Sequence, residues 1–145
     1  MRRFLPVAVL LAFAFASSVA RADFLSKRFE FKAGVVLEIG VATAEGVRLD
    51  TVRFQVPTPV QGRHERSGGL VKAEVTISNT ASVPFRVGIA MALFDGEQRL
   101  LGVASGGTAL IPIKPGRQKT FDLVFDDVND RVHGATSFQI SLEPK

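Results

Sequence analysis

The chain contains no cysteine, tryptophan or tyrosine and has only two histidines. Without cysteine it can form no disulfide, no zinc–thiolate site and no lipid anchor through an N-terminal cysteine, and it has no thiol nucleophile. Without tryptophan or tyrosine it lacks the aromatic platforms on which sugars stack. These absences exclude redox and thiol chemistry and weigh against a lectin.

Catalytic motifs are equally scarce. There is no G-x-S-x-G segment, and the glycine-rich stretch from Leu101 lacks the spacing of phosphate-binding loops. His64 lies among glycines, whereas His133 is near Asp130 and Ser137, a grouping that is common on protein surfaces. The sequence therefore predicts no enzyme and assigns no catalytic, cofactor-binding or metal-binding residue.

Residues 1–22 have the pattern of an export signal. Two arginines near the start precede an apolar run over residues 4–16, and small residues end in Ala20-Arg21-Ala22. The run has 13 residues, whereas a membrane-spanning helix needs about 17 to 25. We expect cleavage after Ala22 and the general secretory route, with cleavage after Ala20 or a retained anchor as the alternatives.

The charge balance changes when this leader is removed. The whole chain has 18 basic and 14 acidic residues and a net charge of +4. Three arginines lie in residues 1–22, which leaves 15 basic and 14 acidic residues and a net charge of +1 for residues 23–145. This near-neutral sum indicates neither a nucleic-acid partner nor an anionic membrane surface.

The remaining 123 residues have the size of one domain. Apolar and polar residues alternate strictly over residues 71–78, as in a strand with one apolar face. Three further segments repeat this period, with apolar positions at Phe85, Val87, Ile89, Met91 and Leu93; at Phe121, Leu123 and Phe125; and at Phe138, Ile140 and Leu142. We expect Val75, Ile89 and Leu123 to meet in one hydrophobic layer between two sheets.

The N-terminal part of the domain is less regular. Residues 25–31 alternate imperfectly, and a turn predicted at Gly34 precedes a clearer alternation of Val35, Leu37, Ile39 and Val41. Near Asp50 and Thr51 the apolar residues then change from odd-numbered to even-numbered positions, a slip of one residue in the alternation. This slip predicts a β-bulge, although two short strands with a bend would give the same pattern.

Short motifs within these segments resemble the FxLYD domain of bacterial envelope proteins. That family has Asn-Thr before one strand, Phe-x-Leu-Tyr-Asp at the end of the strand and a Pro-Gly turn before a late strand. The matching residues here are Asn79, Thr80, Leu93, Asp95, Pro115 and Gly116, with Met91 in place of the Phe and Phe94 in place of the Tyr. The resemblance covers roughly residues 70–142 and implies an immunoglobulin-like or fibronectin-type-III-like sandwich without known ligand residues. A weaker similarity runs to the late-embryogenesis-abundant type 2 sandwich.

Three features leave alternatives open. The proline- and glycine-rich residues 57–69 form either a cationic contact for a carboxylate or phosphate, through Arg63, His64 and Arg66, or a solvated crossover. Residues 126–130 offer oxygen ligands for calcium but lack the spacing of the known calcium loop, so an acidic turn is the alternative. The glycine-rich stretch over residues 101–107 indicates an edge strand or a bulge.

The sequence thus predicts an all-β protein with a signal peptide over residues 1–22 and a single immunoglobulin- or fibronectin-type-III-like antiparallel β-sandwich over residues 23–145. The predicted function is that of a non-catalytic interaction module of the bacterial cell envelope, periplasmic or secreted. Its partner would be an envelope protein, bound by strand addition at an exposed edge. The alternative is a small-ligand or lipid-contacting sandwich that uses a face of small residues at Gly88, Ala90 and Ala92.

Overall fold

A computed structural model of the protein describes residues 24–57 and 70–145. These residues form two antiparallel sheets of four strands each, which confirms the predicted all-β sandwich. The strands are β1 (Leu25–Glu30), β2 (Val36–Ala42), β3 (Val47–Gln55), β4 (Val71–Asn79), β5 (Val87–Asp95), β6 (Leu100–Gly107), β7 (Gln118–Phe125) and β8 (Ala135–Pro144). The predicted signal peptide lies outside the described residues, as do Arg63, His64 and Arg66 of the long loop. That loop joins β3 to β4, which pair in one sheet, so the alternative of a crossover between two sheets is wrong.

The first sheet has the strand order β1-β8-β5-β6, and the second sheet has the order β2-β3-β4-β7. The chain changes sheet between β1 and β2, between β4 and β5, and on either side of β7. The first strand therefore pairs with the last, from Leu25 opposite Leu142 to Glu30 opposite Ser137. The turn predicted at Gly34 is confirmed; its φ is 71°, and it links β1 of the first sheet to β2 of the second.

The connections lie at two opposite ends of the sandwich. We call the lower end the one that holds residues 43–46, 80–86 and 108–117 together with Lys145. The upper end holds residues 31–35, 96–99 and 126–134. The strand register gives this division, and it assigns each of these connections to one end of the sandwich.

The strand alternation predicts burial correctly. Val75 and Leu123 are fully buried in the second sheet, and Ile89 is 3% exposed in the first. The rings of Phe54 and Phe138, which come from opposite sheets, lie 5.0 Å apart edge to face. Since burying a side chain of this size contributes about 1.5–3 kcal/mol, this single layer is the main stabilising element of the fold.

The predicted bulge is confirmed, because the pairing of β3 with β4 shifts between Leu49 and Thr51. Asp50 lies at the shift, where it accepts a hydrogen bond from the Ser78 hydroxyl. The Nε atom of Arg48 lies 3.2 Å from the same carboxylate. The extra residue of the bulge is thus anchored by polar contacts, and the later residues of β3 turn inward again.

Three segments differ from the prediction at their boundaries. Phe85 is buried but forms only an isolated bridge with Ile113, and β5 begins at Val87. Val35 precedes β2 and is exposed, because the turn at Gly34 has not yet brought the chain onto the second sheet. The acidic segment at residues 126–130 runs from a turn into a 3₁₀ helix, Asn129–Gly134, that alternation does not predict.

Candidate functional site

Asp95 is one of two buried polar or charged residues among those described. Its carboxylate accepts hydrogen bonds from the backbone N–H groups of Glu97 and Arg99, both at 2.9 Å, and from the Arg99 side chain at 2.7 Å. These bonds, with those from Arg99 leading, hold the pKa of the Asp95 carboxyl below its usual range. Asp95 closes the turn from β5 to β6, and its acceptor sites are taken up by the protein itself.

Asn79 is the other buried polar residue, and it joins two loops of the lower end. Its side-chain amide donates to the carbonyls of Val83 and Ile113, both at 2.8 Å. Its side-chain oxygen accepts the N–H of Ala81 at 2.8 Å. Gly116, with a φ of 68°, donates its N–H to the Asn79 carbonyl at 2.8 Å.

The motif residues behind the family resemblance therefore have structural roles. Asn79 and Gly116 hold loops, Asp95 holds a turn, and Met91 and Leu93 belong to the core. The side chains of Asn79 and Asp95 bond to the protein's own backbone, and these contacts identify no ligand.

The candidates for catalysis and metal binding are not brought together. The Ser137 hydroxyl is buried without a hydrogen-bond partner, so His133 does not activate it. The Arg131 side chain donates to the carbonyl of Asp127 in the acidic segment. Within residues 24–57 and 70–145, no group of three or more His, Asp or Glu side chains could hold a metal ion. No helix in this part of the chain is long and apolar enough to cross a membrane.

The edges of the sheets differ in how well they are protected. β1 carries the exposed charges of Lys27, Arg28 and Glu30, and β2 is interrupted by a shift in register near Gly40, whose φ is 65°. Charges and bulges of this kind prevent an edge from pairing with another chain. β7 bears charged residues at its exposed positions, whereas β6 contains no charged residue and no proline. Of the four edges, β6 is the one without such protection.

The register of β6 shows which backbone groups point to its free edge. Thr108 donates its N–H to the Val87 carbonyl at 2.9 Å, and the pairing with β5 then continues without a shift as far as Gly102. Hydrogen-bonded and non-bonded pairs alternate in an antiparallel ladder. The N–H and C=O groups of Val103 and Ser105 therefore point away from β5, and both side chains are exposed.

A groove of about 600 Å³ follows this edge. Small residues form its floor, which includes the predicted face at Ala90 and Ala92. Val103 and Ser105 line it on β6, and Val124 and Asp126 line it beyond the edge. An extended segment laid along β6 would find unpaired backbone groups on one side and room for alternate side chains in the groove.

The sequence indicated an edge strand over residues 101–107, and this prediction is confirmed. It did not single out Val103 and Ser105, although the absence of charge in this strand was a usable signal. Comparison of the chain with protein-family models and with the curated proteins finds no match. Its class is therefore defined by the fold alone, that of an antiparallel β-sandwich with one unprotected edge.

Proposed function

We propose that the protein is an exported, non-catalytic interaction module of the bacterial cell envelope, periplasmic or secreted. It binds an extended segment of an envelope protein by strand addition along β6. The resemblance of its turn motifs to the FxLYD domain supports this location, as does the pattern of an export signal over residues 1–22.

The observation that carries the proposal is the unpaired outer edge of β6. Its outward N–H and C=O groups at Val103 and Ser105 are not engaged by another strand in the described part of the chain. Such an edge is a template for pairing, and neither a charged side chain nor a proline protects it. Main-chain bonding would give affinity, and the groove beside β6 would select side chains.

A proline on the edge tests the proposal directly. Ser105→Pro removes one outward N–H without touching the ladder to β5, and proline is tolerated at such edge positions. We expect the variant to keep its melting temperature within a few degrees and to lose the envelope protein that the unaltered protein retains in a pull-down from envelope extract. Ser105→Ala keeps the N–H and should retain the partner.

The matched control is Ser26→Pro on β1, the other edge of the first sheet. Phe31 donates its N–H to Thr136 at 2.9 Å, so by alternation the N–H of Ser26 also points away from β8. This variant should bind the partner as the unaltered protein does. Equal retention by both proline variants would overturn strand addition at β6.

The groove also favours a second function, the binding of a small ligand or lipid over Ala90 and Ala92. Its volume of about 600 Å³ falls within the range of ligand pockets, roughly 300–1,000 Å³. Native mass spectrometry of the protein purified from the envelope separates the two functions. A co-purifying small molecule that Ala90→Leu displaces would favour small-ligand binding. The mass of the protein alone would favour binding of an extended peptide segment.

A further inference from the structure

The lower end of the sandwich carries the most exposed large apolar side chains of the described chain. Leu110 is 82% exposed and Ile111 is 71% exposed, side by side at the tip of the loop between β6 and β7. Val83, at 61%, lies on the neighbouring loop, which Asn79 ties to the same place. Pro112 follows the tip and restricts its backbone.

Cationic side chains accompany these tips. Arg86 donates from its guanidinium to the carbonyl of Leu110 at 3.3 Å, and its backbone pairs with that of Lys145. Lys114 and Arg117 lie on the same loop as Leu110 and are exposed. Among the described residues, no carboxylate forms a salt bridge with Arg86, Lys114 or Arg117.

Carboxylates and cations are mixed at the opposite end. Asp95, Glu97, Asp126, Asp127 and Asp130 lie there together with Lys32, Arg99 and Arg131. Arg99 forms ion pairs with Asp95 and Glu97. Because the cations of the lower end have no such partners among the described residues, an anionic surface would attract this end and orient the sandwich.

We propose that the lower end docks on an anionic lipid bilayer. Leu110 and Ile111 enter the headgroup region, and Arg86, Lys114 and Arg117 lie at the level of the lipid phosphates. The large apolar side chains exposed on these two loops are Val83, Leu110 and Ile111, whereas a stable protein interface takes about 20–30 residues from each partner. Unpaired cations around an apolar tip match the chemistry of a bilayer surface instead.

Vesicle co-sedimentation tests this docking. All variants are expressed in the same cells and carry the N-terminus that results from processing there. Any contribution of residues 1–22 is therefore the same in every variant. Vesicles of phosphatidylcholine with phosphatidylglycerol should bind it, and vesicles of phosphatidylcholine alone should bind it far more weakly. High salt should weaken the binding to the anionic vesicles, because exposed charges are screened.

Two variants separate the apolar from the cationic contribution. Leu110→Ser with Ile111→Ser should lower the partition coefficient by at least about tenfold. Lys114→Gln with Arg117→Gln should lower it by about fivefold for each cation removed, at low salt only. All four residues are exposed, so the melting temperature should hardly change and will show that the variants are folded.

The control is Val35→Ser, which removes an exposed apolar side chain from the upper end. It should bind anionic vesicles as the unaltered protein does, and so should Ser105→Pro, because β6 takes no part in the docking. The proposal is overturned if the protein binds both kinds of vesicle equally, or if the Leu110 and Ile111 variant binds as well as the control.

Discussion

Two buried polar side chains, Asp95 and Asn79, organise the turns of this sandwich. Each satisfies several backbone groups that would otherwise be left without partners where the chain leaves a strand. A buried unpaired backbone group costs about 1–3 kcal/mol, so a single well-placed side chain can decide whether a tight connection forms. At this scale both buried polar side chains of the described residues serve the fold.

The carboxylate of Asp95 makes the stability of the fold depend on pH. Its pKa is lower in the folded chain than the unperturbed value of about 3.9, so it stabilises the fold above that pH. The contribution is lost as the pH falls through the folded pKa. Asp95→Asn should therefore melt at a lower temperature than the unaltered protein at neutral pH, and the difference should disappear in acid.

Melting curves recorded between neutral pH and pH 2 check this expectation. Glu97→Gln, which removes only an exposed ion pair with Arg99, should melt almost as the unaltered protein does at neutral pH. A difference between Asp95→Asn and the unaltered protein that stays constant into acid would contradict the role of the charged carboxylate.

At the scale of the element, β6 is defined by its small inward residues. Gly102, Ala104 and Gly106 face β7, and a methyl group on Gly102 would lie 2.1 Å from a methyl carbon of Val128. The strand can therefore lie directly against the side chains of Leu123, Phe125 and Val128. These inward residues are small and β6 contains no charged residue, so its outer edge is available to a partner.

Gly102→Ala should destabilise the fold by about 1–3 kcal/mol, because Val128 is buried and cannot move aside freely. The midpoint of urea denaturation measures this loss. Gly134→Ala is the matched control, since an added methyl group there meets nothing within 4 Å. Equal midpoints for the two variants would show that β6 is not held in close contact with Val128.

At the scale of the whole molecule, one core is shared by both sheets. Ile89 belongs to the first sheet and Leu123 to the second, and both contribute to the same buried cluster. Cations without a salt bridge lie at the lower end, although the net charge of residues 23–145 is close to zero. The sandwich thus combines one shared interior with two distinct surfaces: an open edge and a cationic apolar end.

Ile89→Ala and Leu123→Ala should each cost about 2–5 kcal/mol, because each leaves a cavity in this common layer. Urea denaturation followed by circular dichroism should show a single transition for both variants, shifted to a lower midpoint. The exposed Val103→Ala should shift it little. A second transition in only one of the core variants would mean that the sheets unfold separately.

Much of the fold was predictable from local patterns. Alternation identified the core residues of β4, β5, β7 and β8, and a slip of one residue identified the bulge at Asp50. The 3₁₀ helix before β8 and the exposed position of Val35 were not predicted, because both depend on how the chain leaves one sheet to reach the other. The open edge was predicted only as a glycine-rich edge strand or bulge over residues 101–107.

The amino-acid sequence by itself determined which side chains of β4, β5, β7 and β8 are buried, since the facing of residues in a strand repeats every two positions and needs no knowledge of the partner strand. Only the tertiary structure decided that β1 pairs with β8, that the backbone groups of Val103 and Ser105 point to the free edge of β6, and that Leu110 lies among cations at one end. These properties arise from contacts between residues far apart in the chain. Neither composition nor local period contains that information.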